Sequence, residues 1–109
     1  MPVELPAPIA IYFSSDSAGD ASKLAQCFAT DAVVKDEGHT YNGLAEITQW
    51  RADAKKKYQY TVQPISSTVG NGNITVTSRL TGNFPGSPID LQFVFGIANG
   101  RITSLDIHP

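Results

Sequence analysis

The chain is short of the residues that usually carry covalent or metal chemistry. It has one cysteine, Cys27, which excludes a disulfide within the chain and any site built from several thiolates. Its two histidines, His39 and His108, stand far apart, and no group of His, Cys and carboxylate residues has ligand spacing, so no metal site is expected. Basic charge is also scarce. Eight Lys and Arg against ten Asp and Glu leave a net charge of -2. The one basic cluster, Lys55-Lys56-Lys57, closes a predicted helix, where it complements the helix dipole, so no nucleic-acid partner is expected. No apolar run approaches membrane-spanning length, and the first residues, MPVELPAPIAIYF, lack a basic leader followed by a small-residue cleavage site. A cytoplasmic protein without a membrane partner is the expectation, and the sequon Asn73-Ile74-Thr75 then carries no meaning. The phosphate loop, the dinucleotide fingerprint and the nucleophile elbow are absent, so no cofactor is expected.

What is present suits one packed domain spanning residues 1–109. Hydrophobic residues make up 41% and charged residues 17%, which argues against long disorder. Cys27, among apolar neighbours in Lys23–Phe28, reads as a small buried hydrophobe.

The first half has helical period. Ala7–Ser15 opens next to Pro6 and Pro8, and Ile9, Tyr12 and Phe13 share a face. Gly19-Asp20 breaks this helix and caps a second over Asp20–Phe28, with Leu24, Cys27 and Phe28 on its stripe. Val33–Glu37 predicts a short strand, Gly38–Gly43 a turn, and Leu44–Lys57 a third helix with the stripe Leu44, Ile47, Trp50 and Ala54. The second half changes period. Tyr58–Val69, Ile74–Thr81, Ile89–Ala98 and Arg101–Ile107 are rich in Val, Ile, Thr and Phe, and GNGN, GNFPGSP and NG separate them. Pro64 and Pro85 belong at a bulge or in a loop. Helices first and hairpin strands second predict an α+β fold, with three N-terminal helices on one face of a curved, mostly antiparallel sheet. Such a sheet leaves an open-mouthed internal pocket.

Several residues together resemble the nuclear transport factor 2-like superfamily, in its SnoaL-like and ketosteroid isomerase-like branch. They are Tyr12, Ala18-Gly19-Asp20, the run Phe28-Ala29-Thr30-Asp31-Ala32-Val33-Val34, then Asp36, Gly43, Ile47, Trp50 and Gly100-Arg101-Ile102. The resemblance covers nearly the whole chain and implies a cystatin-like cone. It does not imply one substrate, because the superfamily includes isomerases, polyketide cyclases, dehydratases and members without catalysis. The ketosteroid isomerase pattern places an aspartate base on the first strand, and a tyrosine and a late neutral aspartic acid as oxyanion donors. Asp36 matches the base and Tyr12 the tyrosine. Asp90, in Pro88-Ile89-Asp90, looks like the late acid, but its parity is opposite to that of Phe93, Phe95 and Ile97.

Asp36 shares parity with Val34, so it is expected to face the pocket as a general base; the alternative is an aspartate that caps a turn or pairs with Arg51. His39, two residues beyond the Asp36-Glu37 pair, is a proton carrier or a solvated loop histidine. Tyr12 is an oxyanion donor or a core tyrosine. Trp50, Phe13, Val34, Tyr58, Phe84, Phe93 and Phe95 are the expected pocket wall. Val62, Ile65 and Val76 are read as an outward apolar patch through which the sheet forms a homodimer. Three readings remain open: proton-transfer enzyme, non-catalytic binder of a small apolar molecule, and protein-interaction module.

Overall fold

The structure, a computed structural model, describes residues 5–18, 23–36, 38–57, 59–70 and 72–109. Helix α1 is Ala7–Ala18 and α2 is Leu24–Cys27. Strands β1, Phe28–Asp36, and β2, His39–Asn42, precede α3, Gly43–Lys57. Then follow β3, Tyr60–Gly70, β4, Asn73–Gly82, β5, Ile89–Ala98, and β6, Arg101–His108. The six strands form one curved sheet in the order β2-β1-β6-β5-β4-β3. Only the β1–β6 pair is parallel among the described strands. The architecture is the expected α+β one.

Two elements depart from the sequence reading. The second helix is a single turn, because Phe28 takes extended backbone (φ -95, ψ 142) and pairs with Ile102 of β6. The stripe Leu24, Cys27, Phe28 is buried as expected, but its last residue belongs to the sheet. Residues Gly19 and Asp20, read as a break and cap, lie outside the described residues. The supposed turn 38–43 contains β2, so His39 opens a strand. Its Thr40 and Tyr41 pair with Lys35 and Val34, and Gly38, at φ +77, supplies the left-handed residue of the hairpin turn. The next helix start is capped from inside α3. The Asn42 backbone N–H donates to Glu46 Oε1 at 2.9 Å, satisfying a donor that the helix leaves open.

The turn chemistry elsewhere acts as read. Asn99 and Gly100, at φ 54 and 75, join β5 to β6 in the two-residue hairpin that NG favours. Pro64 sits at the register break of edge strand β3, and Pro85 lies in the β4–β5 link.

The core lies between the helices and the inner sheet face. It is an aromatic cluster: Tyr12 meets Phe13, Phe28 and Phe95 edge-on with centroids 5.1, 5.8 and 5.6 Å apart. Val62 and Val76 belong to this inner face, which corrects the proposed outward patch. They stand opposite Leu80 and Phe93, so their side chains share a face with the core aromatics. Ile65 is exposed, at the break between Pro64 and Ser66. Among the described residues no helix is long and apolar enough to cross a membrane.

Candidate active site

The inner ends of the strands bring one row of residues together. Asp36 pairs with His39 of β2 on one side and Ile107 of β6 on the other, and Ile107 pairs with Phe93 of β5. Side chains directly opposite one another share a sheet face, so Asp36 sits beside the apolar wall that Phe93 and Ile107 make. This row closes one side of a cavity of about 900 Å³. Helix α1 contributes Tyr12 to the lining, and α3 contributes Trp50, Asp53 and Ala54, spaced i, i+3, i+4. The opposite wall is Tyr60, Val62, Leu80, Phe84, Ile89 and Leu91. The cavity is open, since His39, Asp53, Pro85 and His108 line it and are themselves exposed.

Trp50 reaches the acid directly. Its indole Nε1–H donates to Asp36 Oδ2 at 3.1 Å. The ring is 8% exposed, and Tyr41 lies against it with centroids 6.0 Å apart. Arg51, the next residue, points elsewhere because successive helical residues differ by about 100° in direction. It is buried, its guanidinium carbon is 4.7 Å from the Tyr12 ring centroid, and its Nη1–H donates to Ser15 Oγ at 3.3 Å. The sequence reading weighed Arg51 as a partner for Asp36. Helix phase gives the indole to Asp36 and the guanidinium to Tyr12. Cys27, at the end of α2, is fully buried, and burial pushes its thiol up to about 11 against a partial opposing effect of Arg51.

Of the residues singled out in the sequence, Asp36, Tyr12, His39, Trp50, Phe84 and Phe93 line this cavity. Phe13, Val34 and Phe95 do not; all are buried one layer beneath it. Val34 has the parity of Asp36 but sits two residues deeper, opposite Leu105 and Tyr41, where the helices cover the sheet. Phe95 pairs with Leu105 and packs under Tyr12, and Phe13 packs on both Phe93 and Phe95. Tyr58 lies outside the described residues. Asp90 faces the outer side, where Arg79 clasps it through Nε and Nη2 at 2.9 and 3.3 Å, as its parity implied. Three of the lining residues that the sequence reading did not single out carry polar side chains. Asp53 is visible in retrospect as the i+3 neighbour of Trp50, Tyr41 only once β2 is known to be a strand, and His108 only once β6 is placed beside β1 and β5. Among the described residues no group of three or more His, Cys, Asp or Glu is arranged to hold a metal ion.

The family model of the SnoaL-like domain matches residues 12–105. The chain belongs to the SnoaL-like family. A candidate polyketide cyclase from Sinorhizobium meliloti is 41% identical to this SnoaL-like chain over 95% of each, with a TM-score of 0.92. A protein of ketosteroid isomerase-like fold from Catenulispora acidiphila, solved in complex with trimethylamine, is 18% identical over 97% of this chain and 87% of its own, with a TM-score of 0.83. A cystatin-fold protein from Novosphingobium aromaticivorans is 13% identical over 94% of this chain and 95% of its own, with a TM-score of 0.76. The last two share the fold. No curated protein matches the SnoaL-like chain.

Proposed function

We propose that this SnoaL-like protein binds a small apolar carbonyl compound in the cavity and moves a proton on it without a cofactor, with Asp36 as general base. The observation that carries the reading is a carboxylate on the wall of a large, mainly apolar cavity, hydrogen-bonded by a buried indole. Asp36 takes a proton from the carbon next to the carbonyl. Tyr12 donates a hydrogen bond to the enolate oxygen as it gains charge. Where a β,γ double bond is conjugated to it, the enolate takes the proton back from Asp36 at the γ carbon; otherwise it adds to a second carbonyl of the same molecule, whose oxygen takes that proton, or expels a β-hydroxyl group, which takes the proton and leaves as water. These outcomes are isomerisation, aldol-type cyclisation and dehydration. His39, next to Asp36 at the exposed rim, exchanges protons with water. The 41% identical candidate polyketide cyclase supports the cyclisation branch.

The experiment uses enolisable cyclic ketones and 1,3-diketones in heavy water and follows deuterium entry beside the carbonyl by proton NMR. Wild-type protein is expected to speed exchange, and Asp36→Asn to lose about two to four orders of magnitude of that acceleration while melting normally. Exchange that survives in Asp36→Asn would sink the reading. Binding of the same ketones without any exchange would favour the second reading, a binder that uses the same cavity.

A further inference from the structure

We propose that Trp50 is a positioning residue that holds Asp36 ionised and oriented for proton abstraction. This rests on Asp36 being the base. The indole carries one polar group, an N–H that can only donate, so its hydrogen bond to Oδ2 favours the carboxylate over the acid. Both partners are held. The ring is buried in α3 against Tyr41, and Asp36 is fixed at a strand end by pairing on both sides with His39 and Ile107. A donor on one oxygen sets the plane of the carboxyl group and therefore the direction from which a carbon-bound proton meets it. Trp50 is also the cavity wall next to that group, so its ring bounds where the reacting carbon sits. A base in an apolar cavity faces two opposing effects. Desolvation favours the uncharged acid, which cannot accept a proton, and the indole counters it without adding charge.

Among the described residues, the other titratable groups lining the same cavity are Tyr12 of α1, His39 and Tyr41 of β2, Asp53 of α3, Tyr60 of β3, His108 of β6 and the carboxyl of Pro109 that follows it. The test must separate Asp36 from all of them. Trp50 is the single tryptophan of the chain, so its indole N–H gives one resolved NMR signal. That signal is followed against pH in wild type and in Asp36→Asn, and the Asp36 carboxyl carbon is followed in wild type and in Trp50→Phe, which keeps an aromatic ring but no donor. The wild-type indole is expected to titrate with the midpoint of the Asp36 carboxyl, and that step to vanish in Asp36→Asn. In Trp50→Phe the Asp36 midpoint is expected to move up, and kcat for ketone exchange to fall about tenfold with KM within about twofold.

An indole signal blind to the Asp36 midpoint, or an Asp36 midpoint unchanged in Trp50→Phe, would overturn the proposal. The indole titration uses only wild type and Asp36→Asn, so it decides the matter even if Trp50→Phe does not fold. Failure of the base reading looks different: Asp36→Asn would then keep its exchange activity, whatever the indole reports.

Discussion

The Arg51 guanidinium lies over the face of the Tyr12 ring, 4.7 Å from its centroid, with both residues buried. A cation against the negative face of a ring is attractive, and it draws electron density from the phenol, making the hydroxyl a better donor. Arg51 also donates to Ser15, so it ties α3 to α1. Arg51→Met keeps the stem and removes the charge. It is expected to cost about 2 kcal/mol in urea unfolding. Arg51→Lys, which restores charge without the planar fork, is expected to recover part of this. A variant as stable as wild type would mean that desolvating the guanidinium offsets all it gains.

Phe95 and Phe84 separate core from cavity wall. Phe95 is fully buried under Tyr12, whereas Phe84 is half-buried and lines the opening. Phe95→Ala should therefore lose about 3–5 kcal/mol of stability. Phe84→Ala is expected to lose about 1 kcal/mol or less. The order reverses for ligands. Binding of an apolar ketone, followed through Trp50 fluorescence, is expected to weaken in Phe84→Ala. Similar unfolding costs for both variants would contradict this division.

Cys27 gives the protein an alkaline weakness. Its thiol is raised from 9.0 to about 11 by burial. The folded state holds the proton more tightly, so the unfolded chain ionises first. The contribution is complete below pH 9 and is lost as pH rises through about 11. It amounts to at most about 3 kcal/mol over that window. Urea midpoints of wild type and Cys27→Ala, compared at neutral and strongly alkaline pH, are expected to converge or cross as pH rises. Parallel curves would show that the thiol does not ionise differently on unfolding.

The elements that declared themselves in the sequence are those whose signal is local. The stripe Ile9, Tyr12, Phe13 faces the core because a 3.6-residue period puts those positions together in any helix. The Asn99-Gly100 hairpin was legible because few other residues tolerate its backbone. The parity of Asp90, opposite to that of Phe93 and Phe95, agrees with its pairing to Arg79 on the outer face. The misreadings concern partners. Phe28 continues a helical stripe and yet starts a strand, because Ile102, 74 residues later, offers it a ladder. Val62 and Val76 alternate correctly, but alternation does not say which side is inner. That was settled by Leu80 and Phe93 across the strands. The candidate site divides the same way. Asp36, Tyr12 and Trp50 were visible as residues, while the indole-to-carboxylate bond was not.

By itself the sequence determined the fold class, the strand and helix periods, the hairpin turns, and an acid on the first strand of a chain with a single cysteine. These follow from backbone geometry and side-chain spacing within a few residues. Tertiary structure decided what that acid meets. Placing β1 between β2 and β6 set His39 and Ile107 beside Asp36, and packing α3 against β1 aimed Trp50 at its carboxylate and Arg51 at Tyr12. Hydrogen bonds and ring contacts act over only a few ångströms, so residues 14 and 39 positions apart interact only when the sheet order and helix phase bring them together.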